Sequence, residues 1–116
     1  MSWWVYLQDR KGNNVRVDTF SEGGTYVLGG SDEAELNITY NYGLFYRQHL
    51  DREEGLRWLD GKKARKAIKR LEAAVAALGT EREGSYWDSN PGNAGYALNV
   101  LLTWAKEHPK AIFIVH

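Results

Sequence analysis

Apolar and polar positions alternate through the first forty residues, and then the period lengthens. Trp3 to Leu7 is a short apolar and aromatic run closed by the turn residues of DRKGNN. In VRVDTF, Val15, Val17 and Thr19 alternate with Arg16 and Asp18, which predicts a hairpin partner for that first run. GGTYVLGG, residues 23 to 30, reads as a further short strand between paired glycines. AELNITY then puts Leu36 and Ile38, with Tyr40, on one face of a strand. Three or four antiparallel strands account for this half of the chain.

From Tyr42 onward the pattern is helical. Tyr42, Phe45, Tyr46 and His49 stand at i, i+3, i+4 and i+7, one face of a helix expected to end near Gly55. Ala64, Ile68, Leu71, Val75 and Leu78 form the apolar stripe of a second helix from Lys63 to Leu78, roughly 24 Å long, with Gly79 as its stop. TEREGSYWDSNPGN is a polar loop in which Asn90 or Ser89 caps a third helix and Pro91 occupies its first turn. Ala94, Ala97, Leu98, Leu101, Leu102 and Ala105 give that helix its buried face. His108-Pro109 ends it, and AIFIV, apolar on both faces, is expected as a central strand. The predicted fold is α+β, one domain over residues 1–116. An antiparallel sheet of the N-terminal strands and the C-terminal strand packs against about three α-helices.

Composition narrows the function classes. Fifteen basic and fifteen acidic residues cancel, so no overall field draws the chain to extended nucleic acid. Cysteine is absent, which removes thiolate metal sites and cysteine nucleophiles. MSWWVYLQDRKG lacks the basic start and long apolar run of a signal peptide, and no stretch approaches the ~20 apolar residues of a membrane span. A cytoplasmic setting without membrane attachment is the expectation, and the glycosylation-type triplet at Asn37 is discounted with it. Five Trp, seven Tyr and three Phe are an excess whose polar tips need partners, and they are compatible with a homodimer.

Three stretches could carry binding chemistry. In NITYNYG, Asn37, Tyr40 and Asn41 supply amides and a stacking face suited to a nucleobase or a sugar. The bland alternative makes Asn41 a helix cap and the tyrosines core. In DGKKARKAIKR, Lys62 and Lys63 sit where the macrodipole disfavours cations, unless an anion binds the free helix N–H groups or Asp60 caps them. Lys66 and Lys69 belong to its basic face, which is otherwise merely solvated. In SYWDSNPGNAGYAL, Tyr86, Trp87, Asn90 and Asn93 could hold a planar anion at a helix start, or close over the core while Gly92 and Gly95 permit tight packing. Trp3 and Trp4 are adjacent, so one faces inward and the other faces solvent or a partner.

No catalytic or metal-binding pattern is present, and no cofactor is implied. His49, His108 and His116 are isolated, and nucleophile elbow, phosphate-loop and zinc-protease motifs are missing. Asp88, His49 and the Asp32–Glu33 pair are what remain for catalysis.

ELNITYNYGLFYR, GLRWLDGKKA and PGNAGYAL, in this order, resemble a family of small phage and prophage proteins, mostly of unknown function. The resemblance spans about Gly23 to Val115 and carries over no functional residues. It implies a non-structural phage protein in the bacterial cytoplasm, where such proteins neutralise host components, including defence proteins and their nucleotide signals. The leading expectation is a non-enzymatic binding protein for a nucleotide-like anionic ligand. The alternatives are an inhibitor or adaptor acting on a host protein through the basic helix face, and a small nucleotide-modifying enzyme.

Overall fold

The computed structural model describes residues 1–17, 33–85 and 87–116. The strand read at residues 23 to 30, the end of VRVDTF, Asp32 and Tyr86 lie outside the described residues. The elements run β1 (Ser2–Gln8), β2 (Glu35–Thr39), α1 (Gly43–His49), α2 (Ala64–Leu78), α3 (Pro91–Glu107) and β3 (Ile112–Val115). The three strands form one antiparallel sheet in the order β2-β1-β3, and the α+β reading holds.

β1 forms because Trp3 to Leu7 is rich in aromatic and β-branched residues, and its alternation separates two faces. Trp3, Val5 and Leu7 share a face with Leu36 and Ile38 of β2 and with Phe113 and Val115 of β3. That face is packed into the core. Among the described residues of the expected hairpin partner, 15–17, no strand forms. Asn14 and Arg16 make only isolated bridges, to Gln8 and Glu33, and β1 spends its ladders on β2 and β3. β1, not the C-terminal strand, is therefore central. β3 stands at one end of this order, and its outer edge is covered. Gly61 N–H donates to Phe113 O at 2.8 Å, Phe113 N–H to Lys62 O at 2.9 Å, and Val115 N–H to Asp60 Oδ1 at 2.9 Å.

The first helix is shorter than its periodicity predicts. A 3-10 turn over Tyr40–Tyr42 leads into α1, and a second over Gly55–Leu59 follows it. Tyr42 and Tyr46 are buried as expected, whereas His49 is exposed and Leu50 takes the inward position. Asp51 ends the helical run by accepting the Glu53 and Glu54 N–H groups at 3.2 and 2.8 Å, and Gly55, at φ +58°, turns the chain.

α2 and α3 pack closely on small residues. Ala67 and Ala74 are fully buried while Ile68 and Val75 stay at the margin, so the α2 stripe is rotated toward its alanines. On α3, a side chain at Gly92 or Gly95 would overlap the carbonyls of Glu81 and Gly79. Every apolar residue expected on the inner face of α3 is buried. The indole N–H of Trp104, also buried there, meets no acceptor among the described residues, and nothing in the structure explains it. Among the described residues no helix is long and apolar enough to cross a membrane.

Candidate functional site

A cavity of about 410 Å3 opens where the N-terminal end of β1, the 40–47 segment and the 54–57 turn meet. Its size falls in the range of small-ligand sites. Trp3 reaches it from the core face of β1, with its ring 4.6 Å from Tyr40 in an edge-to-face arrangement and 6.1 Å from Tyr46. Tyr46 is fixed from behind, because its hydroxyl donates to Ala94 O at 3.0 Å. Trp3 is thus one wall whose backing is packed core.

The opposite wall comes from a helical face. Tyr40, Gly43, Leu44 and Arg47 recur at i, i+3, i+4 and i+7, and all line the cavity. Tyr40 and Leu44 are 39% and 63% exposed, so large apolar surfaces stand at its mouth. The Gly55 turn brings in Glu54, Leu56 and Arg57. The Arg47 stem passes close to Gly55, within 3.4 Å of where a Cβ would stand. Among the described residues the guanidinium groups of Arg47 and Arg57 have no carboxylate or hydrogen-bond partner. Against them stands one carboxylate, Glu54, so the lining is net positive.

The sequence-predicted residues do not converge here as a set; of them, Tyr40 and Trp3 do. Asn37 is a structural group: its amide donates to Ser2 Oγ at 2.8 Å and Trp3 O at 3.1 Å, tying β2 to β1. Asn41 is not the cap of the following turn. Thr39 Oγ1 takes that role by accepting Asn41 N–H at 3.2 Å. The Asn41 side chain instead donates to Trp87 O at 2.8 Å, and Ser89 Oγ donates to Asn41 O, which fastens Trp87 and Ser89 to the residue after Tyr40. Trp87 is left 58% exposed.

Asn90 caps α3, accepting Asn93 N–H at 2.9 Å. The Asn93 side chain is buried and saturated. It accepts from Glu83 N–H and donates to the carbonyls of Glu83, Ser85 and Asp88 at 3.0 to 3.1 Å. The Asn93 amide is spent on the loop backbone, and the Asn90 amide donates to Glu83 O at 3.1 Å besides capping the helix.

Lys62 and Lys63 lie across the sheet from Tyr40, because their segment covers the outer edge of β3 while Tyr40 follows β2. The helix N–H groups expected to bind an anion beside them are already used. Ala64 N–H donates to Ala111 O at 2.8 Å and Arg65 N–H to Pro109 O at 2.9 Å. Asp60 does not cap this helix either, since its carboxylate accepts from Val115 N–H. The Lys62 ammonium sits over the Trp58 ring at 5.0 Å, and Arg70 covers the same ring at 4.3 Å. Lys66 and Lys69 are exposed along α2. Trp4, on the sheet face opposite the core, stacks near Tyr6 at 6.4 Å. Burial and the Glu35 charge both raise the Tyr6 pKa above its ordinary value.

The residues offered for catalysis are dispersed. Asp88 accepts Ser85 N–H within a turn, and His49 is exposed on α1. Among the described residues no group of three His, Cys, Asp or Glu side chains could hold a metal ion.

The cationic groups of the cavity, Arg47 and Arg57, were not singled out by sequence reasoning. A signal for Arg47 was present: the i, i+3, i+4, i+7 series from Tyr40 is the complement of the core series from Tyr42. Arg57 had none, because a 3-10 turn after an irregular loop places it. Compared with family models, curated proteins and solved structures, the chain matches none, so its own geometry carries the functional argument.

Proposed function

We propose that this is a small non-enzymatic binding protein that holds a planar anionic ligand of the nucleotide class in the Trp3–Tyr40 cavity. One observation carries the reading: two guanidinium groups without partners among the described residues line the same hollow as an exposed aromatic ring. Arginine without a protein carboxylate keeps its planar donor fork free for phosphate or carboxylate, and an aromatic face beside it suits a base. In the phage setting that the sequence resemblance implies, such a protein would act by sequestering a nucleotide signal of the host.

Calorimetry against a panel of nucleoside mono-, di- and triphosphates tests this. Binding should be detectable, and Arg47→Ala or Arg57→Ala should each weaken it by about tenfold or more, the worth of a charge-assisted hydrogen bond. Both arginines are exposed, so the thermal midpoint should hardly move. Absence of heat with every nucleotide, or arginine variants that bind like the parent, would overturn the reading.

A further inference from the structure

Gly43 is a glycine that the backbone does not require. Its φ and ψ, −55° and −40°, are ordinary right-handed helix, open to any residue. Crowding does not demand it either, since an added Cβ would sit 3.5 Å from Trp3 Cη2, a normal van der Waals contact. The contrast with its neighbours is plain: Gly55 stands at φ +58°, and Gly92 and Gly95 have backbone carbonyls where a Cβ would go. In a helix, glycine costs roughly 0.5–1 kcal/mol relative to alanine. Gly43 and Trp3 both line the cavity, and the side chain missing at position 43 leaves a methyl-sized notch against the edge of the Trp3 ring.

Resting on the ligand reading above, we infer that Gly43 is a specificity-determining residue: a flat heterocycle enters its notch and lies against Trp3, with its anionic group at Arg47 and Arg57. The ligand class is then a nucleoside monophosphate or a molecule of the same build, an aromatic ring joined to an anion at a distance the cavity spans. A sugar phosphate lacking the ring would use only the arginines. Leu44 and Tyr40, exposed and lining the same cavity, close over the ring edges.

The test titrates the full chain with the four common nucleoside 5′-monophosphates and with ribose 5-phosphate, and repeats the titration on Gly43→Leu. At least one monophosphate should bind the parent about tenfold or more tighter than ribose 5-phosphate. Gly43→Leu should lose about tenfold or more in affinity with no fall in its thermal midpoint. The Trp3 indole N–H resonance of the parent should shift on titration, with that of Trp104 unmoved, and this readout decides the matter if Gly43→Leu does not fold. Parent-like binding by Gly43→Leu, or a motionless Trp3 resonance, overturns the notch and leaves the arginine cavity standing. Equal binding of ribose 5-phosphate overturns the ring. Failure of every anion to bind the parent removes the cavity reading itself, and this inference with it.

Discussion

The loop between α2 and α3 and the cavity beside α1 are made from similar residues, aromatic and polar side chains around glycine turns, but they treat polar groups in opposite ways. In the loop, the Asn93 carboxamide meets four backbone groups, Asn90 caps the helix, and Asp88 is bound to Ser85 N–H. In the cavity, the Arg47 and Arg57 guanidinium groups meet no partner among the described residues, and the Tyr40 ring is open to solvent. A buried polar group that is fully bonded belongs to the scaffold, because removing it leaves its partners stranded. A polar group held in a hollow with its bonds unspent is available for something else. The comparison separates residues that look equally functional in one dimension.

Breaking the saturated side should have the largest effect. Asn93→Leu keeps nearly the same volume but strands Glu83 N–H and the carbonyls that the amide served. The loss should be at least about 3 kcal/mol, given roughly 1–3 kcal/mol for each buried group left unmet. Urea denaturation reads it directly, and the thermal midpoint should fall by about 10 °C or more. A loss below about 1 kcal/mol would show that the loop is held in some other way and that the amide is spare.

That contrast also explains how much of the molecule was legible beforehand. α2 and α3 were readable because each carries a long apolar period and an end signal, Gly79 for one and Asn90-Pro91 for the other. α1 was overextended because Gly55 was read as its stop, and nothing periodic marks Asp51 as the acceptor that ends it earlier. β3 misled because a run apolar on both faces reports how its side chains are buried, not its place in the strand order. For the site, Tyr40 was legible as a stacking face in NITYNYG, whereas Trp3 was read only as one of a pair facing the core or a partner. The lysines at the start of α2 stayed open as anion candidates, because a sequence does not show that Ala111 and Pro109 supply carbonyls to that helix end.

A middle-sized effect should come from the support beneath the cavity. The Asp51 carboxylate lies behind the turn that carries Gly55 and Arg57. The Glu54 backbone N–H chiefly, then Arg70 and the Glu53 N–H, hold its pKa below the ordinary carboxylate value, against partial desolvation that pushes it up. A carboxyl whose pKa is lower folded than unfolded stabilises the fold above the unfolded value, and that contribution fades as pH drops through the folded one. Asp51→Asn should therefore be less stable than the parent near neutrality and should converge with it in strong acid. Denaturation curves at the two extremes check this, and a gap that stays constant with pH would remove Asp51 from the acid response. Arg70 should follow the same profile more weakly, since its bond to Asp51 is exposed.

The smallest effect is the one that divides the glycines. If Gly43 is kept for the cavity and not for the fold, Gly43→Ala should gain stability, by roughly 0.5–1 kcal/mol, because alanine restricts the unfolded chain and fits the helical backbone already present. Gly95→Ala is the counterpart. Its methyl would overlap Gly79 O, so the helix and the chain after α2 must move apart, at a cost of about 1–3 kcal/mol. Opposite signs from the same substitution on two different helices would place one glycine with the ligand and the other with the packing. Should both alanines destabilise, Gly43 would join the scaffold, and the open floor beneath Tyr40 would be a by-product of packing against Trp3.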